Sequence, residues 1–293
     1  MAGVRDIRRR IRSVKNTQQI TGAMEMVAAA KLRRAQEKAV LARPYADKIG
    51  DVVQHLIKAE GIPEHPLTLS RPVKTVCFLV MSADRGLCGA YNTNILRRAV
   101  QSTRDIPEGA EVALVTVGRK ARDFFRKRGY NVLGEYINLG DNPDFVQARE
   151  IAQFVVNLFA EEAVDEVRIV YAEFVTTLQQ IPRVRKLLPF DVGENEKPEG
   201  EKFLLRTDYI YEPNDVDMLM DAVLPKFIEA QVYRAMLEGK ASEQGARMTA
   251  MGAATENAKE MIGNLTLTMN KARQAAITKE LLEIVGGAEA LKR

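Results

Sequence analysis

Apolar residues recur at alternating steps of three and four from the first residues of the chain. The series runs Val4, Ile7, Ile11, Val14, Gln18, Thr21, Glu25, Ala28, Leu32, Ala35, Ala39, Ala42, Ala46, Ile49, Val53 and Leu56, and only Gln18, Thr21 and Glu25 are polar. The same walk returns near the other end as Met248, Met251, Thr255, Ala258, Ile262, Leu265, Met269, Ala272 and Ala276. A mean step of 3.5 is the seam of a coiled coil. The first series predicts one helix from residue 3 to about 58, roughly 80 Å long at 1.5 Å per residue. Gly61, Pro63 and Pro66 end it. The last helix is expected to begin near Pro213, to kink or restart at Pro225 and to stop at Gly286 and Gly287.

Between these helices the period changes. Val73 to Met81 (VKTVCFLVM) is a β-branched apolar run, the mark of a strand buried on both faces. A turn-rich segment covers Ser82 to Asn92. Helices are expected over Thr93–Thr103, Gly118–Arg128 and Asp144–Glu162, and strands over Glu111–Val117, Asn131–Ile137 and Val167–Phe174. A further extended segment covers Phe203–Tyr211, and Gly193–Lys202 reads as a loop. Strands alternating with helices indicate a mainly parallel sheet. The fold expected is therefore α/β: a long antiparallel coiled coil of the N- and C-terminal helices (residues 1–60 and 212–293) plus a Rossmann-like α/β domain (residues 70–211).

Length comparison adds a constraint. If both helices leave the middle domain together, the first runs out opposite about Met269 of the second. Beyond that point Ala272, Ala275, Ala276, Ile277, Leu281, Leu282, Ile284 and Val285 have no partner in the chain. A helix that is apolar on several faces is normally enclosed, so another protein is expected to surround this end.

Composition changes the picture in one respect. The net charge is only +4, and 28% of the residues are charged, but the charge is uneven. Arg5, Arg8, Arg9, Arg10, Arg12, Lys15, Lys31, Arg33, Arg34 and Lys38 are set against only Asp6, Glu25 and Glu37. Such a helix fits an acidic partner: nucleic acid, anionic lipid or an acidic protein surface. No stretch approaches the roughly 20 apolar residues of a membrane span, and no apolar core follows the basic N-terminus as a secretory signal requires.

Catalytic and ligand motifs are missing. GxxxxGK[ST] and GxGxxG are both absent, and Gly86 and Gly89 in the strand-to-helix turn read as turn glycines. Asp84 and Arg85 read as a turn-stabilising pair. His55 and His65 lie far from Cys77 and Cys88 in sequence, so neither metal nor cofactor is expected. Cys77 sits in an apolar run and reads as a reduced thiol.

Three segments carry a family signature: MAGVRDIRRRIRSVKNTQQITGAMEMVAAAKLRR at Met1–Arg34, SADRGLCGAYNTN at Ser82–Asn94, and ASEQGARMTAMGAATENAKEMIGNLTLTMNKARQAAITKELLEIVGGA at Ala241–Ala288. The chain resembles the gamma subunit of bacterial F-type ATP synthases over essentially its full length. The resemblance implies a non-catalytic central-stalk rotor on the cytoplasmic face of the bacterial membrane, attached only through partners. Those partners would be the alternating alpha and beta hexamer, the epsilon subunit and the c-ring. It implies that Arg273 and Gln274 hydrogen-bond a beta-subunit loop, and that Thr278 and Arg247 also serve coupling. Met24 would face an acidic beta segment, with Lys31, Arg33 and Arg34 nearby. Tyr209, Tyr211 and Glu212 would form the foot that meets epsilon and the c-ring. Ile277, Leu281, Leu282, Ile284 and Val285 would form a bearing tip. The insert that carries the regulatory cysteine pair of chloroplast gamma subunits is absent, which argues against thiol-switch control.

Two other readings compete. A basic coiled coil that binds nucleic acid would show steeply salt-dependent binding, but it leaves the apolar tip unexplained. An enzyme using the Ser82–Asn94 turn for a phosphorylated ligand would bind nucleotide stoichiometrically.

Overall fold

The computed structural model describes residues 4–60, 65–190 and 216–290. It divides into two compact units, Met1–Ala28 with Arg247–Arg293, and Ala29–Ala246. Two long helices run through both units: α1 (Val4–Glu60) and α5 (Val216–Ala290).

The larger unit is built on a five-stranded sheet. Its strands are β1 (Thr75–Met81), β2 (Glu111–Val117), β3 (Asn131–Tyr136), β4 (Glu166–Phe174) and β5 (Gln180–Leu188), in the order β3-β2-β1-β4-β5. β1 to β4 are parallel and β5 is antiparallel to β4. α2 (Tyr91–Ser102) and α3 (Arg119–Arg126) carry the chain outward from β1 to β3. α4 (Phe145–Ala160) then returns it to the far side of β1. This is the doubly wound plan, with its switch point between β1 and β4.

The alternation along β1 explains why its sequence is apolar throughout. Cys77, Leu79 and Met81 join a core with Ile151, Val155 and Phe159 of α4, with Val53 and Leu56 of α1, and with Met220, Leu224 and Ile228 of α5. Val76, Phe78 and Val80 join the opposite core with Ile95 and Ala99 of α2 and Phe125 of α3. Both faces are covered, so neither alternate position is polar. Arg71 fastens the edge of this layer. Its Nε lies 2.7 Å from Asp165 Oδ1, and Asp165 Oδ2 accepts the backbone N–H groups of Lys74 and Thr75 at 2.8 and 2.9 Å.

In the smaller unit the expected seam is the buried one. Ile7, Thr21, Ala28, Met251 and Ala258 are buried, and Val4, Ile11, Val14, Gln18, Glu25, Met248, Thr255, Ile262, Leu265, Met269 and Ala272 are half-buried. The helices run antiparallel: Thr255 Oγ1 lies 2.8 Å from Thr21 Oγ1, and Gly252 adjoins Glu25.

Three expectations change. The sequence pattern did not mark β5, because this edge strand carries Pro182, Arg183, Arg185 and Lys186. Charges and a proline are what an edge tolerates, and they blunt further pairing. Gly286 and Gly287 do not end α5, which continues to Ala290. A helix-interior glycine costs only about 1 kcal/mol, which weakens a helix without terminating it. Pro225 lies inside α5, which already begins at Val216, so the proline does not start the helix. The expected strand Phe203–Tyr211 and loop 193–202 lie outside the described residues.

Candidate functional site

The exposed end of α5 is the first candidate. Val4 precedes Thr21 by as many residues as Ala272 follows Thr255, so α1 begins where α5 loses its cover. Ala272 is half-buried and every residue from Arg273 to Gly287 is exposed. Ile277, Leu281, Ile284 and Val285 repeat at helical spacing, and Leu282 is 67% exposed beside them. The surface between them carries little charge pairing beyond Lys279 with Glu283, 3.6 Å apart. Arg273, Gln274 and Thr278 stand exposed at the base of this stretch. A helix end with an apolar stripe and a polar base fits contact with another protein surface better than solvent.

The second candidate is the cationic face of α1. Arg5, Arg8, Arg9, Arg10, Arg12 and Lys15 are all exposed, and Arg9 pairs with Asp6 at 3.2 Å. Arg33 pairs with Glu37 at 3.1 Å, and Arg34 is exposed. Met24 and Arg247 are half-buried in the smaller unit. On each unit these residues sit along the helix surface, not in a pocket. Tyr209, Tyr211 and Glu212 lie outside the described residues.

Lys31 is engaged within the larger unit, a contact the sequence did not reveal. Its Nζ lies 2.8 Å from Asp141 Oδ2, while Lys240 Nζ lies 3.4 Å from Asp141 Oδ1 and 3.1 Å from Glu243 Oε2. The Lys31 ammonium, and then Lys240, hold the Asp141 carboxyl below the usual carboxylate range against partial burial. The turn signal in Asn138-Leu139-Gly140-Asp141-Asn142-Pro143 is legible in sequence. Its pairing with two helices, through residues 110 positions before it and 99 after it, is not.

The Ser82–Asn92 turn is committed to structure. Ala121 N–H donates to Ser82 Oγ at 2.8 Å, and Ala83 N–H donates to Asn92 Oδ1 at 3.0 Å. Asp84 is not paired with Arg85 as expected. Its Oδ1 accepts the Arg119 N–H at 2.9 Å, because a carboxylate is stabilised by the unsatisfied N–H groups opening a helix. The cavity beside this turn, lined by Ser82, Asp84, Gly118, Lys240 and Glu243, measures about 60 Å³. Ligand clefts begin near about 300 Å³. Among the described residues no group of three or more His, Cys, Asp or Glu side chains is placed to hold a metal ion. No helix there is long and apolar enough to cross a membrane. Cys77 and Cys88 are buried free thiols, and burial pushes Cys77 up to about 12.

Comparison with known proteins bears on the chain as a whole. The sequence profile described as ATP synthase matches residues 3–291. The ATP synthase gamma chain of Desulforamulus reducens is 53% identical, and that of Desulfitobacterium hafniense 52%, each over the full length of both chains. Among solved structures, a chain of the Euglena gracilis mitochondrial ATP synthase (OSCP/F1/c-ring) superposes with a TM-score of 0.67 at 21% identity. That match covers 98% of this chain and 94% of that one. A chain of the Tetrahymena thermophila mitochondrial ATP synthase central stalk and c-ring gives 0.61 at 24% identity, covering 80% and 99%. At these identities the structural matches speak for the fold.

Proposed function

The chain belongs to the ATP synthase gamma-chain family, the non-catalytic central-stalk subunits of F-type ATP synthases, and from that premise we propose how its surfaces are used. The exposed stripe of Ile277, Leu281, Leu282, Ile284 and Val285 turns as a bearing inside an alternating alpha and beta hexamer. This stripe is the observation that carries the reading, since it is a large apolar surface that the described residues leave uncovered. Arg273, Gln274, Thr278 and Arg247 contact beta subunits. The cationic face of α1 passes acidic beta segments near Met24, Arg33 and Arg34. Residues 1–60 and 212–293 serve as the shaft and 70–211 as the foot, with Tyr209, Tyr211 and Glu212 meeting epsilon and the c-ring. Ion flow turns the ring and this chain with it, on the cytoplasmic face of the membrane, to which the chain is bound only through partners.

Coupling has a physical requirement. Each orientation of the shaft must interact with open and closed beta sites with different free energy, or rotation shifts no equilibrium. Exposed ion pairs of about 0–1 kcal/mol suit a rotor, because strong pairs would trap one angle. Replacing Met24 by Lys should add a pair to an acidic segment and lower ion pumping per ATP more than it lowers stability.

Co-purification with alpha and beta subunits, followed by ATPase assay, tests the reading. A rotor joins the hexamer at one copy and supports multi-site turnover. A chain that never joins a hexamer overturns it.

A further inference from the structure

We propose that Asp141 is a positioning residue for torque transfer, the point at which one carboxylate ties both long helices to the sheet of the larger unit. The proposal rests on the central-stalk reading and adds to it a single carboxylate that resists slipping of both helices at once, beside the buried Ser242 Oγ–Ala172 O and Tyr91 Oη–Gly239 O hydrogen bonds that hold α5 alone.

Three observations support it. First, the loop bearing Asp141 is fixed before it reaches the helices. Asn138 and Gly140 adopt φ of 58° and 82°, the left-handed turn conformations that Asn and Gly accept most readily. Arg119 of α3 donates to Asn138 Oδ1 at 2.8 Å, and Gln147 of α4 donates from Nε2 to Leu139 O at 3.3 Å. Secondly, the two carboxylate oxygens divide between the helices: Oδ2 faces Lys31 of α1 and Oδ1 faces Lys240 of α5. Sliding or twisting either helix against the sheet must lengthen one of these contacts. Thirdly, Lys31 and Lys240 lie a few residues inside Ala29 and Ala246, the limits of the larger unit on each helix. The clamp is thus among the last ties on α1 and α5 within this unit.

Screening by water does not dissolve the arrangement. Lys31 and Asp141 are partly exposed, but the Lys240 and Glu243 side chains are only 14% and 8% exposed. Charges withdrawn from solvent are screened less by salt, and linked pairs support one another. A single pair is weak, which also means that removing it leaves the fold intact.

The test uses the assembled complex, with the stalk tagged by a bead and its angle recorded during catalytic pauses. Asp141→Asn should widen the angular variance about two-fold, the scale of losing one weak pair, and lower ATP synthesis against a load. Unloaded hydrolysis should stay at the wild-type rate. Asp141→Glu should restore the narrower distribution. Raising salt from about 0.1 to about 1 M shortens the screening length from about 10 to about 3 Å, the length of these contacts. That should widen the wild-type distribution and leave Asp141→Asn unchanged. An assembled, hydrolysing Asp141→Asn complex with wild-type spread and salt response would overturn the clamp alone. A wild-type chain that fails to join the hexamer would sink the stalk reading and the clamp with it.

Discussion

Thr21 and Thr255 face each other across the two helices of the smaller unit, their hydroxyl oxygens 2.8 Å apart and Thr21 buried. Thr255 also approaches Met251 O at 2.8 Å, and Thr21 approaches Gln18 O at 3.1 Å. The pair is a polar rung in an otherwise mostly apolar seam, and it fixes which turn of α1 meets which turn of α5. Thr255→Val should lower stability by about 1 kcal/mol. The double variant Thr21→Val/Thr255→Val should cost less than the sum of the singles. Thermal melts of the four proteins check this, and strict additivity would show that the hydroxyls do not interact.

Asp165 anchors the start of β1 from the other end of the sheet crossover. Burial pushes its carboxyl up, but the N–H groups of Lys74 and Thr75 and the Arg71 guanidinium outweigh that and hold it below the usual range. Its folded value therefore lies below its unfolded value of about 3.9. The stability it contributes is present above that value and is lost as pH falls through the folded value. Asp165→Asn should remove about 3 kcal/mol at neutral pH, as expected for breaking a mostly buried pair. It should also flatten the acid limb of stability against pH. Denaturant titrations from neutral to acid pH would detect both, and parallel acid limbs would rule out Asp165 as the titrating group.

Gly118 has φ +91°, and a Cβ there would lie 2.2 Å from Ser82 O. Both the conformation and the close approach exclude a side chain. Gly118→Ala should destabilise the larger unit by at least about 2–3 kcal/mol and reduce soluble yield. A wild-type melting curve for this variant would mean that the crossing of β1 and β2 onto α3 is looser than the geometry indicates.

Ending the chain after Ala272 removes only exposed side chains among those described. The truncated protein should unfold within about 0.5 kcal/mol of the full chain, the usual range for surface changes. The complex containing it should lose torque or assemble poorly. Arg273→Ala should repeat this split more mildly, leaving melting unchanged and lowering turnover of the assembled enzyme. Equal loss of stability and activity in both variants would point to a structural role instead.

Much of this molecule was legible in its sequence because its helices and strands follow simple periods. The 3.5-residue walk predicted the covered positions of α1 and α5 to within the last member, Ala276, which is exposed. The unbroken apolar run at β1 announced a strand between two layers. Length alone placed the end of cover near Met269, and the structure extends it to Ala272. β5 escaped because its partner-facing backbone carries the pairing while its side chains look like loop. The Lys31–Asp141–Lys240 cluster escaped because charge pairing between segments so far apart leaves no local pattern. Lys31 looked available to an outside acid for the same reason. Asp84 was assigned the neighbouring arginine when its partner is a backbone group on another element.

The uncovered apolar stripe of α5 also governs what happens to a copy that has no ring to enter. Such a copy shows Leu281, Leu282, Ile284 and Val285 to every chaperone, protease and like copy it meets, and exposed apolar helices of this kind associate or are degraded. On the bearing reading proposed above, incorporation hides the stripe and ends that exposure. The same side chains then distinguish a free copy from an assembled one, because the surface that marks the free copy is the one a finished complex conceals.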